Sequence, residues 1–271
     1  MSAAILRRLT LFVLSLTAAA TAIAAEPNMQ RDRFQVIELR RYTMKEGGRD
    51  RFIRYFESYF PEAFQQLGAM ALGQFRERAN PLAFTWLRGF RDIDARAVVN
   101  AAFYYGPLWK EHRTRMNDLL VDSDNVWLLR PLSPDRGVVV LPAVDVVKEA
   151  DGVHGVAVAQ IFAVREKSVE AFAKQAEAAF ARYRAAGVRE AGVLVTLEVT
   201  NNFPQLPVRT DGPYLVWLGI AKDDRTLNAL RAAVDESAPG LAASELLRGE
   251  PELIVLDPAS RSRLRWLPEW D

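Results

Sequence analysis

Val36-Ile37-Glu38-Leu39-Arg40-Arg41-Tyr42-Thr43 is the stretch from which the rest of this 271-residue chain is read. It alternates as a strand does, with Ile37, Leu39 and Arg41 on one face and Val36, Glu38, Arg40 and Tyr42 on the other. A face that carries an acid, a base and a phenol is offered to something other than hydrocarbon. From Val36 to Leu132 the order is strand, helix, strand, strand, helix, strand, and this stretch holds nearly all the unusual side chains.

Working outward, Glu46-Gly47-Gly48 ends the first strand in a turn. Phe52, Phe56, Tyr59, Phe60 and Phe64 then recur at steps of three and four, which predicts a helix over 49–67 with one aromatic face. Pro61 predicts a kink or restart inside it, and Gly68 a stop. Segments 72–78 and 82–90 read as a hairpin across Ala79-Asn80-Pro81. Asp92 or Asp94 caps a second helix with Ala95, Val98, Val99, Ala102 and Phe103 on its buried side. That helix breaks at Gly106-Pro107, resumes over 108–120, and a last strand follows at 125–132. The connector 133–152 offers Val138-Val139-Val140-Leu141 as an added edge strand.

From Val153 the same order returns: strand 155–164, helix 168–186, strands 192–200 and 214–221, helix 224–236, strand 253–257. Gly68 and Gly187 hold the same place in the two units, as do Trp86 and Trp217, so the chain reads as a diverged duplication. The expected organisation is a unit at 34–132, a linker at 133–152, a second unit at 153–258 and a tail at 259–271. Each βαββαβ unit covers one sheet face with its own helices and leaves the other bare. Packing the bare faces together makes a pseudo-symmetric α+β barrel with helices outside. This expectation turns Glu38, Arg40 and Tyr42 into the space between the sheets.

Thirty-five basic residues against 34 acidic ones imply no global field for nucleic acid. Residues 1–25 differ in kind: Arg7-Arg8, an apolar run from Leu9 to Leu16, then small residues ending in Ala22-Ile23-Ala24-Ala25. That is the pattern of a secretory signal peptide, with a mitochondrial presequence as its rival, and the run is too short to favour a stable membrane span. The sequence has no cysteine, which removes a lipoprotein anchor, a disulfide framework and thiol catalysis together. A periplasmic or secreted location fits the combination.

Glu38-Leu39-Arg40-x-Tyr42, the Trp86-Leu87-Arg88 strand, and Ala102-Phe103-Tyr104-x-x-Pro107-x-Trp109 with 125–131 closing the unit together resemble a NIPSNAP domain. The resemblance covers roughly 34–132 and survives over 153–257 only as element order. It implies tandem ferredoxin-like units packed sheet to sheet as a pseudo-dimeric α+β barrel. The dimeric α+β barrel group also contains small cofactor-free monooxygenases and haem-handling enzymes. No reaction is securely attached to the family itself. The second unit departs from the pattern, with Gln160 and Phe162 on its first strand and Gly219 in the place of Arg88, so a site is expected in the first unit alone.

Two readings stand for each candidate. Glu38 and Arg40 either form a self-satisfied buried ion pair, or Arg40 with Arg88 fixes a carboxylate or enolate while Glu38 acts as base. Tyr42, Trp86, Tyr105 and Trp109 either pack as core or hold the body of an aromatic ligand. His112 is either a helix-surface imidazole, a proton shuttle or an axial haem ligand. Two isolated histidines make no metal site, and Gly47-Gly48 is no phosphate loop. The tail residues Arg261, Arg263, Arg265, Trp266 and Trp270 read as a strap on the barrel. The leading expectation is a binder of a small aromatic or anionic organic molecule, needing no metal or cofactor, with cofactor-free oxygenation or proton transfer as its chemistry. The alternative is a non-catalytic protein-interaction module with a filled barrel. Homodimerisation stays open.

Overall fold

The computed structural model describes residues 30–243 and 245–270, so the signal-like segment lies outside the described residues. The first unit runs β1 (Val36–Met44), α1 (Arg49–Leu67), β2 (Ala69–Glu77), β3 (Ala83–Phe90), α2 (Ile93–Tyr104), α3 (Pro107–Asn117) and β4 (Leu120–Pro131). The second runs β5 (Val156–Ala163), α4 (Val169–Ala185), β6 (Arg189–Thr196), β7 (Tyr214–Ala221), α5 (Asp224–Ala242) and β8 (Glu252–Pro258). All strands pair antiparallel in one closed barrel of order β1-β3-β2-β8-β5-β7-β6-β4. The second strand of each unit pairs with the fourth strand of the other, at β2–β8 and β6–β4, which closes the sheet of the described strands on itself.

The duplication is visible in detail. Gly68 and Gly187 follow equivalent helices with φ of 96° and 92°, a region that favours glycine. Asp92 and Asp223 each cap the next long helix, accepting from Ala95 N and Thr226 N at 2.7 and 2.8 Å. Trp86 pairs in register with Arg40, and Trp217 with Gln160.

The space inside the barrel is apolar and filled. Ile37, Leu39 and Leu87 meet Ala159, Leu194 and Val216 there. The connector does not add an edge strand. Val138, Val139 and Leu141 pack into this core, and the tail adds Leu264, Trp266 and Leu267. Their apolar side chains are more stable filling the barrel than exposed at a sheet edge. Arg265 follows them in, clamped to Glu149 at 2.5 and 2.6 Å.

Two further expectations are corrected. α1 continues unbroken through Pro61. Proline leaves the carbonyl four residues back without its helical partner, and here Glu57 O accepts from Arg261 Nη1 of the tail at 2.5 Å. The expectation for the β1 faces is reversed. Ile37 and Leu39 face the barrel interior, while Glu38, Arg40 and Tyr42 face the layer under α1–α3, where Tyr42 joins Phe52, Phe56 and Trp86. Hydrophobic free energy explains it: the shared interior is where two apolar faces exclude water at once, so the polar face turns outward to its own helices.

Candidate functional site

The polar face of β1 continues onto its cross-strand neighbours in β3. Glu38 pairs with Arg88 and Arg40 with Trp86 along β1–β3, so all four side chains rise on the helix side. Above them α1 lowers its phenylalanine stripe, and α2 contributes Arg96.

Glu38 is the hub. Its Oε2 accepts from Arg40 Nη1 at 2.9 Å and from Arg88 Nη2 and Nε at 2.6 and 3.2 Å, and its Oε1 accepts from Arg96 Nε at 2.6 Å. All four residues are at most 1 % exposed. Burial by itself would raise the Glu38 pKa, but Arg88, Arg40 and Arg96 outweigh it and hold the carboxyl far below the usual range. Such a carboxylate, with both oxygens engaged, holds cations and does not take protons. Of the two readings of Glu38, this geometry accords with the buried ion cluster, in which the carboxylate is an anchor, rather than with the base.

Three guanidiniums against one carboxylate leave a buried excess of two positive charges (3 − 1 = 2). Aromatic faces offset part of it: Arg88 lies 5.0 Å from the Phe64 centroid, 5.2 Å from Trp86 and 4.9 Å from Phe90. Arg40 donates from Nε to the Tyr42 hydroxyl at 2.7 Å, and burial raises the Tyr42 pKa above the usual phenol value despite that arginine.

Arg40 and Tyr42 form the polar wall of a cavity of about 90 Å³ between the sheet and the helices. Trp86, Tyr104, Trp109 and the α1 phenylalanines line most of the rest. It opens past Asn117, Ser123 and Leu206, which are exposed or half-buried.

The NIPSNAP family matches residues 37–134. This segment is a NIPSNAP domain. The sequence resemblance and the measured match coincide over β1–β4. Across both units, a candidate monooxygenase from Lactobacillus acidophilus superposes with TM-score 0.53 at 13% identity, covering 86% of this chain and 100% of its own. One from Fusobacterium nucleatum gives 0.55 at 10% identity, covering 86% and 96%. An anthrone oxidase-like protein gives 0.54 at 12%, covering 85% and 93%. At such identities the likeness establishes the fold, a two-unit α+β barrel. No curated protein sequence matches the chain.

Within the NIPSNAP domain the remaining candidates separate. Trp86 and Trp109 line the cavity, while Arg88 sits behind it on Glu38. Tyr105 does not line it: it is 56 % exposed, with its ring 6.1 Å from Phe203, because α2 ends at Tyr104 and turns the next side chain outward. His112 also lies outside the cavity wall. It is buried, hydrogen-bonded through Nδ1 to the Tyr55 hydroxyl at 2.7 Å and stacked on Tyr59 at 4.1 Å. A haem does not fit: this imidazole is engaged by two tyrosines, and about 90 Å³ cannot take a macrocycle.

Sequence reading missed Arg96 and Asn100. It placed Val98 on the buried side of α2, yet Val98 is 69 % exposed and the buried stripe is Arg96, Val99, Asn100 and Phe103. Their spacing of i, i+3, i+4, i+7 was a legible signal, disguised by two polar residues. It also missed the second unit's contribution. The loop 197–213 folds over the NIPSNAP domain, where Asn201 and Asn202 Oδ1 accept from Arg96 Nη1 at 3.0 and 2.8 Å. Leu206 from the same loop reaches the cavity mouth. Among the described residues of the second unit, Trp217, Phe180 and Tyr183 pack together at the equivalent place, with Trp217 lying against Gly219.

Proposed function

We propose that this protein binds a small aromatic molecule carrying an anionic or acidic oxygen, in the cavity between the NIPSNAP sheet and its helices. The observation that carries this reading is Arg40, a member of a buried cluster with surplus positive charge, standing in the wall of a mostly aromatic cavity. A phenolate, enolate or carboxylate answers the charge, and the rings hold the body of the ligand. The cavity volume of about 90 Å³ is below the ~150 Å³ of an engineered cavity that holds benzene, so a ring enters as wall side chains move or while part of it stays in the open mouth. Asn202, Asn201 and Leu206 make the second unit a brace for this site.

The likeness to candidate monooxygenases and an anthrone oxidase-like protein supports oxygenation as the chemistry. In that reading Arg40 stabilises an enolate, which gives electrons directly to dioxygen. A CH₂ conjugated with the enol becomes a carbonyl; one oxygen atom is retained, and the other leaves as water with the two hydrogens. The interaction-module alternative requires a filled barrel. The interior is filled, but the cavity beside Arg40 lies elsewhere, and this favours the binder.

The test is a panel of neutral and acidic monocyclic hydroxyaromatics, read by quenching of Trp86 and Trp109 fluorescence, with oxygen uptake measured on those that bind. Acidic members should bind, and Arg40→Met should weaken them by tenfold or more. Equal binding by the variant, or preference for neutral compounds, overturns the reading. We also propose that the chain acts outside the cytoplasm. N-terminal sequencing of the protein from an extracellular or periplasmic fraction should find the signal removed near Ala25; an intact Met1 in that fraction, or no protein there, refutes it.

A further inference from the structure

Behind the cavity lies a second set of donors that the proposed ligand does not reach. Arg88 Nη1 and Arg96 Nη2 are buried without a hydrogen-bond partner, although the other nitrogens named above are engaged. Asn100 is fully buried, and both its amide nitrogen and its carbonyl oxygen are unpartnered. Arg88 and Arg96 grip the two oxygens of the same carboxylate, so their guanidiniums are close neighbours. Asn100 lies one turn beyond Arg96 on the buried face of α2, and helical side chains lean toward the preceding turn. Neither Arg88, Arg96 nor Asn100 lines the aromatic cavity.

Leaving a buried donor unsatisfied costs about 1–3 kcal/mol, and more when it is charged. Here charged and neutral donors are left over together, in a cluster that already carries two surplus positive charges. We propose that Arg88, Arg96 and Asn100 hold one small monovalent anion of halide size as a structural component of the NIPSNAP domain. The charges then close: Glu38 answers one guanidinium, the inner anion a second, and the oxygen of the cavity ligand the third. The inner site stands without the cavity ligand, because none of its three residues lines the cavity. A halide suits it better than a carboxylate, since a single spherical acceptor meets guanidinium and amide donors from several directions.

Bromide is the probe. In crystals grown with sodium bromide in place of chloride, anomalous scattering should place a peak within hydrogen-bonding reach of Arg88 Nη1, Arg96 Nη2 and the Asn100 amide. In solution, exchanging sodium gluconate for bromide at constant ionic strength should raise Tm saturably, by about 3–6 °C at tenfold above the dissociation constant. Asn100→Leu, close in shape and lacking the amide, should weaken the bromide response about tenfold. The wild-type measurements stand whether or not that variant folds. Density for water alone at the site, with equal Tm in bromide and gluconate, overturns the proposal. A bromide peak only beside Arg40 overturns it too, while leaving the anion preference of the cavity in place.

Discussion

Glu38→Gln removes the one carboxylate that Arg40, Arg88 and Arg96 share, and the glutamine cannot replace it. Its carbonyl can stand in for one oxygen, but its amide nitrogen must then face the donors that used the other. If the carbonyl replaces Oε2, Arg96 Nε at 2.6 Å meets a donor; if it replaces Oε1, Arg40 Nη1 and both Arg88 nitrogens do. All four side chains are at most 1 % exposed, so water cannot relieve the conflict. Breaking a buried ion pair by removing one partner costs roughly 3–5 kcal/mol. That is roughly a fifth or more of a typical domain's stability, and for a chain of this size it lowers Tm by roughly 6–20 °C. Differential scanning calorimetry and urea unfolding read it directly. The double variant Glu38→Gln/Arg88→Met should recover part of the loss, since it removes a cation together with its counter-charge. A Glu38→Gln cost below about 1 kcal/mol, the size of a surface pair, would refute the buried hub. So would simple additivity in the double variant.

Other outcomes follow from the same geometry. Leu141→Ala should cost about 2–5 kcal/mol in urea unfolding, because the connector residue is 1 % exposed inside the barrel; a near-neutral result would return it to the surface. Asn202→Ala removes one of the two acceptors of Arg96 Nη1 and the donor to Ile93 O at 2.6 Å, and amide hydrogen exchange in the loop 197–213 should speed up while the strands stay protected. Burial pushes the Tyr183 phenol up to about 12, so the folded state holds that proton more tightly than the unfolded state. The stability this contributes is present below about pH 10 and is lost as pH rises from there toward 12; alkaline unfolding of Tyr183→Phe should lack that component. Glu38 is the opposite case: its lowered pKa stabilises the fold above the ordinary carboxylate range and fails only in strong acid, so urea unfolding between pH 5 and 8 should show no Glu38-dependent slope when wild type and Glu38→Gln are compared.

What could be read from residues alone was whatever local chemistry decides. The α1 stripe from Phe52 to Phe64, the stop at Gly68, the cap at Asp92 or Asp94, of which the chain uses Asp92, and the period-two pattern of β1 act within a few residues of where they lie. The duplication and the NIPSNAP resemblance followed, because they are made of such local signals in a fixed order. The alternation of β1 also assigned Glu38, Arg40 and Tyr42 correctly to one common face. It could not say which way that face looks. The choice between the barrel interior and the helix layer depends on what else competes to fill the interior, and Val139, Leu141, Leu264 and Trp266 come from segments far away in sequence. The restart allowed for at Pro61 does not occur, and the carbonyl that the proline frees is satisfied from far away: Arg261, 200 positions along (261 − 61 = 200), donates to Glu57 O. Arg96 joined the hub because a carboxylate on another element needed a further donor, and Leu206 reached the cavity because two units close into one barrel. Sequence thus determined the elements and the faces of this protein. Only the tertiary structure decided which face is the site, since that is settled by burial and charge summed over residues that meet only once the chain is folded.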